Sequence, residues 1–120
     1  MSKKTMTAEE VSVRYQIPLN ILEEYRGWGL CGAIQLPMDD LQYDDQDLER
    51  LGTIMALHDM GFQPEEVETY MRLLIKGKQT DRQRLQILDQ RRNSMLDEIH
   101  LKERQLQRMD FLRVELRRGL

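Results

Sequence analysis

Residues 7–29 read TAEEVSVRYQIPLNILEEYRGWG and predict two short helices joined by a tight turn. Thr7 precedes a glutamate by three positions, which is the spacing of a capping box, so a first helix is expected over residues 8–15. Pro18 disfavours helical angles at the residue before it but can itself open a helix. A second helix is therefore expected over residues 19–28, and the pair is typical of a helix-turn-helix.

Two more helices are expected further along the chain. Residues 30–45 lack helical periodicity and predict a loop or a short β-hairpin, the usual place of a wing. A third helix is expected from a cap at Asp44 or Asp45 to the glycine at Gly61, and a fourth from Pro64 to near Gly77. The third helix has apolar residues at three- and four-residue spacings: Leu48, Leu51, Ile54 and Met55.

Residues 80–118 contain neither glycine nor proline and follow a heptad pattern. A helix over this stretch would be roughly 55–60 Å long, at about 1.5 Å per residue. One heptad position of the seam holds Leu85, Arg92, Ile99, Leu106 and Arg113, and the other holds Leu88, Met95, Lys102, Met109 and Leu116. Seven of these ten residues are apolar. A small head cannot cover such a stripe, so we expect a homodimer.

The three basic seam residues suggest a structural role. In an antiparallel pair of helices, Arg92, Lys102 and Arg113 would meet acidic residues and fix the alignment, as polar seam residues do in other coiled coils. The acidic candidates are Asp97, Glu103 and Asp110. The sequence thus predicts an all-α protein with a head over residues 1–77 and a coiled-coil dimerisation helix over residues 78–120.

The composition argues against several classes of protein. Cys31 is the only cysteine, so no intramolecular disulfide and no thiol cluster for a metal is expected. His58 and His100 are isolated, and we expect neither a metal nor a cofactor. The sequence shows neither a nucleophile–base pair nor a phosphate-binding loop, so we do not expect an enzyme. No apolar run approaches the roughly 18–20 residues that span a bilayer, so a cytoplasmic location is expected and no membrane partner.

The order of these elements resembles the MerR-type regulators. The first shared motif is Glu10-Val11, the Ile17-Pro18 turn and the run from Leu22 to Leu30. The second is Tyr43, Asp47 to Leu51, Ile54, Leu57, Met60 to Phe62 and Glu65 to Val67. The resemblance implies a winged helix-turn-helix head, a long antiparallel dimerisation helix, and a dimeric regulator that binds a palindromic promoter.

Five residues are candidates for contact with double-stranded DNA: Arg14, Asn20, Tyr25, Arg26 and Tyr43. Asn20 is suited to adenine in the major groove, and the other four are suited to phosphates. Each has an alternative interpretation. Tyr25 and Tyr43 would also suit packing between helix and wing, Asn20 a solvated position, and Arg26 an ion pair with Glu23.

Acidic residues occupy positions at which the resemblance to the MerR-type regulators implies contact with DNA. Glu23 and Glu24 stand where the family usually has arginine and tyrosine, and residues 38–41 read MDDL where the wing usually has Asn-Gly-Tyr-Arg. Residues 1–51 hold five basic and ten acidic side chains, which weakens attraction to phosphate. The sequence therefore leaves a second hypothesis: a non-catalytic module, similar to the chaperone modulators that bind J-domain proteins, whose acidic head faces a basic protein.

Overall fold

The computed structural model describes residues 5–30 and 42–120 and divides into two compact units, residues 1–80 and 81–120. We call the first unit the head. The head contains β1 (Met6–Thr7), α1 (Ala8–Tyr15), α2 (Leu19–Gly27), β2 (Gln42–Tyr43), α3 (Asp45–Asp59) and α4 (Pro64–Lys76), and the second unit is α5 (Asp81–Arg118). The predicted helices are confirmed, and within residues 5–30 and 42–120 the fold is helical apart from one pair of two-residue strands.

The strand pair joins the start of α1 to the start of α3. β1 and β2 are antiparallel, with Met6 opposite Tyr43 and Thr7 opposite Gln42. The sequence suggested a loop or hairpin over residues 30–45. Within the described part, the strand at its end pairs with the segment before α1, and the wing positions 31–41 lie outside the described residues.

Local hydrogen bonds explain where α1 begins and how the chain turns into α2. Thr7 caps α1: its hydroxyl accepts from the Glu10 N–H at 3.2 Å and donates to the Glu10 carboxylate at 3.1 Å. Gln16 ends α1 in the left-handed region, at φ 54°. The Ser12 hydroxyl then donates to the Ile17 carbonyl at 2.7 Å, and the Ile17 N–H donates to the Ser12 carbonyl at 3.2 Å. These bonds hold the turn tightly.

The starts of α3 and α4 are capped as well. Asp44 accepts from the Asp47 N–H at 2.9 Å, and Asp47 accepts from the Asp44 N–H at 3.1 Å, which completes a capping box. Before α4, the Glu66 carboxylate accepts from the Gln63 N–H at 2.9 Å. Gly61 lies between the two helices at φ 88°, a conformation that favours glycine. The turn chemistry therefore sets both helix boundaries.

One apolar core joins the four helices of the head and β2. Each element contributes completely buried side chains: Val11, Leu22, Tyr25, Tyr43, Leu51, Ile54, Val67 and Met71. Among the described residues, no helix combines the length and apolar character needed to cross a membrane. In the same residues, no group of three or more His, Cys, Asp or Glu side chains is placed to hold a metal ion.

α5 is a single helix of 38 residues, about 57 Å long at about 1.5 Å per residue. It contains no buried residue. Three ion pairs within the helix join Asp81 to Arg84, Arg91 to Glu98 at 3.7 Å and Asp110 to Arg113 at 3.3 Å. Exposed pairs of this kind contribute little to stability.

Candidate nucleic-acid interface

α2 has two distinct faces. The inner face is buried in the core of the head and consists of Ile21, Leu22 and Tyr25. The outer face is exposed and carries the side chains of Leu19, Asn20, Glu23 and Arg26. Leu19 is 56% exposed, whereas Leu22 is completely buried. The two residues lie only about 60° apart around the helix, and the edge of the core falls between them.

A buried hydrogen bond fixes the inner face of α2 to the start of α3. The Tyr25 hydroxyl donates to Asp47 Oδ1 at 2.6 Å, and Asp47 is only 2% exposed. The other carboxylate oxygen of Asp47 accepts from the Asp44 N–H. The Tyr25 and Tyr43 rings lie beside each other, with centroids 6.4 Å apart. One carboxylate thus joins two helices and caps one of them.

The pKa of Tyr25 is raised well above its usual value of about 10, first because burial disfavours the phenolate and then because the hydroxyl donates to Asp47. A folded-state pKa above the unfolded one gives stability that is complete below about pH 10 and is lost as the pH rises through the folded pKa. We therefore expect wild-type stability to fall more steeply than that of Tyr25→Phe once the pH exceeds about 10, measured by urea unfolding between about pH 8 and about pH 11. Equal slopes for the two proteins would contradict this.

Glu24 is turned away from the outer face and toward α3. Its Oε2 lies 3.1 Å from His58 Nε2, and both side chains are about one-fifth exposed, 23% and 22%. The sequence hypothesis treated Glu24, like Glu23, as a carboxylate facing DNA, and treated His58 as isolated. The structure corrects both points. Of the two adjacent acidic residues, only Glu23 belongs to the outer face.

Two arginines hold the carbonyl groups that follow α2. Arg50 of α3 donates to the Leu30 carbonyl at 2.9 Å. Arg72 of α4 donates to the Trp28 carbonyl at 2.9 Å and to the Glu68 carboxylate at 2.8 Å. Carbonyls at a helix end lack partners within the helix, and basic side chains there complement the helix dipole. α3 and α4 thereby fix the end of α2.

The structure separates the five predicted DNA-contact residues into two groups. Three are exposed: Arg14, Asn20 and Arg26. Tyr25 and Tyr43 are completely buried, so the packing interpretation applies to them and neither presents its ring to a phosphate. Cys31 and the wing residues 38–41 lie outside the described residues.

The predicted seam of α5 lies on the helix surface. Its apolar residues are largely exposed, between 40% and 72%, for Leu85, Met95, Ile99, Leu106, Met109 and Leu116. Leu88 is partly exposed, and Arg92, Lys102 and Arg113 are exposed. The heptad omitted four further exposed apolar residues: Leu101, Phe111, Leu112 and Val114.

The arrangement of these parts defines a class of protein: a helix-turn-helix head whose α2 has one anchored and one free face, followed by a long helix. The model of the MerR HTH family regulatory proteins matches residues 6–74, which is more than half of the chain, and the chain belongs to this family. None of the curated proteins is significantly similar to it in sequence.

Solved structures share the fold. HiNmlR, described as a MerR family regulator lacking the sensor domain and bound to promoter DNA, gives a TM-score of 0.64 at 19% identity, over 90% of this chain and 86% of that one. A MerR family regulator from Bacillus thuringiensis gives 0.61 at 19% identity, over 89% and 95%. A putative MerR family regulator from Listeria monocytogenes gives 0.65 at 20% identity, over 88% and 81%.

Proposed function

We propose that this chain is a dimeric transcriptional regulator that binds promoter DNA through its helix-turn-helix head. The observation that carries the proposal is the outer face of α2, which is exposed while the inner face is tied to α3 by the Tyr25–Asp47 bond. A recognition helix needs one face for the groove and one for the core. Family membership and the likeness to a DNA-bound relative support the same function.

The second unit supports dimerisation. α5 has no buried residue, and the apolar side chains of its seam are therefore largely exposed in the single chain. Removing apolar surface from water contributes about 25 cal/mol per Å² in favour of association, against which the entropy lost on binding must be set. A second α5, antiparallel to the first, would cover the seam and place two heads on a palindromic site.

The alternative, a protein-interaction module with an acidic head, is less well supported. It rested on Glu23 and Glu24 together, but the Glu24 carboxylate lies beside His58. Family membership also favours the regulator. The regulator would act in the cytoplasm, where its promoter lies, and its proposed function requires no cofactor and no catalytic group.

Footprinting on the chain's own upstream region tests the proposal. The expected result is two protected half-sites related by two-fold symmetry, with their centres separated by about one helical turn or a multiple of it. An unrelated duplex of equal length should show no protection. Uniform protection of both duplexes, or protection of neither, would contradict sequence-specific binding.

Lys102 provides a test of the seam. In a dimer, Lys102→Leu should add an apolar contact and raise the melting temperature by about 4 °C, while allowing more than one helix orientation. Arg104→Leu is the control, because it removes the same charge at an exposed position away from the seam. The measurement is thermal unfolding at one fixed protein concentration. A large loss of stability in Lys102→Leu would argue against this seam.

A further inference from the structure

Three neighbouring side chains on the outer face of α2 differ in their hydrogen-bonding properties. The side chain of Leu19 cannot form hydrogen bonds, that of Asn20 has both donors and acceptors, and the ionised carboxylate of Glu23 only accepts. Glu23 forms neither a hydrogen bond nor an ion pair with any residue in the described ranges, 5–30 and 42–120. Its carboxylate is therefore available to a ligand, whereas that of Glu24 lies against His58.

Helix geometry places the three side chains together. At about 100° per residue, Leu19, Glu23 and Asn20 fall in this order within an arc of about 100°, opposite the buried inner face. Leu19 and Glu23 are one turn apart, about 6 Å along the helix axis. Two base-pair steps of duplex DNA span about 7 Å. The spacing of Leu19 and Glu23 along the helix therefore allows the outer face to contact neighbouring base pairs.

We propose that Glu23 reads sequence, by accepting a hydrogen bond from the exocyclic amino group of a cytosine in the major groove. This inference rests on the proposed function. A carboxylate is repelled by the acceptors that guanine and thymine present there, and at adenine the amino donor lies beside the N7 acceptor. Cytosine presents a donor without that acceptor, so it is the base that suits Glu23.

The neighbouring side chains extend the prediction. Asn20 suits the N6 and N7 atoms of adenine, and Leu19 suits the methyl group of thymine. The preferred half-site would then hold a C·G pair within one or two steps of A·T pairs. The carboxylate at Glu23 weakens attraction to the phosphates in general but discriminates against the wrong base. An acidic residue on this face thus acts in specificity.

The test is selection of binding sites from a pool of random duplexes, using the full-length wild-type protein, Glu23→Gln and Glu65→Gln. Glutamine has the donor and acceptor that suit adenine, so Glu23→Gln should change one position of each half-site from C·G to A·T. Discrimination at that position should be roughly 5- to 150-fold. Glu65→Gln removes the same charge from an exposed position on α4 and should select the wild-type site.

The outcomes separate the two proposals. A change of preference at one position in Glu23→Gln alone supports base reading by Glu23. Selection of one and the same site by all three proteins would overturn the inference and leave the proposed function standing. If the wild-type protein enriches no site, the proposed function fails, and base reading by Glu23 fails with it.

Discussion

Asp47→Ala is expected to lower the free energy of unfolding by about 3 kcal/mol, the largest loss for any single polar side chain of the head. Asp47 is buried and accepts both the Tyr25 hydroxyl at 2.6 Å and the Asp44 N–H at 3.1 Å. Its removal leaves a buried hydroxyl without its acceptor, which costs about 1–3 kcal/mol, and breaks the capping box of α3. A loss of about 3 kcal/mol is a large fraction of the stability of a small domain.

Asp45→Ala is the matched control, because Asp45 is an exposed carboxylate in the same turn of α3. Removing the Asp45 carboxylate should change the free energy of unfolding by only about 0.5 kcal/mol. Urea unfolding at one fixed chain concentration measures both, since dimerisation would make stability depend on concentration. Tyr25→Phe combined with Asp47→Ala should cost less than the sum of the two single losses. Equal effects of Asp45→Ala and Asp47→Ala would show that the buried bond contributes nothing.

Ile99→Glu is expected to convert the dimer into monomers and to weaken DNA binding roughly 100-fold, because two linked heads bind far more tightly than one. Ile99 lies at the centre of the predicted seam and is 48% exposed in the single chain. The substitution would replace an apolar side chain of each chain with a carboxylate at the middle of a mostly apolar seam, where burial of charge is disfavoured. The head should stay folded, so circular dichroism should still report helix.

Gln90→Glu is the control for this variant. Gln90 is exposed on α5 and lies about 180° around the helix from Ile99, so it adds the same charge outside the seam. Light scattering after gel filtration gives the mass of each protein. The expected result is a dimer for wild type and Gln90→Glu and a monomer for Ile99→Glu. A dimeric Ile99→Glu would show that another surface holds the chains together.

Local chemistry made much of the fold predictable from the sequence. Thr7, Asp44 and Pro64 mark helix starts because caps act over three or four residues, and the structure begins the helices there. The long α5 followed from the absence of glycine and proline. These features depend on neighbours in sequence, which a single sequence displays.

The contacts that build the candidate site were not predictable in the same way. Tyr25 and Asp47 are 22 positions apart, and Glu24 and His58 are 34 positions apart. No periodicity links residues at such separations, so Tyr25 remained open between phosphate contact and packing. The direction of Glu24 depends on where α3 passes, and only the tertiary structure provides that. The residues that contact DNA and the seam stay predictions.

The most direct test of promoter binding is equilibrium titration of the purified protein with a duplex carrying its own upstream region, at about 50 mM and about 200 mM salt. The proposed function predicts two chains per duplex, at least tenfold weaker binding at the higher salt, and displacement by the specific duplex but not by an unrelated one. Absence of binding at about 50 mM salt would contradict it, because phosphate attraction is strongest there.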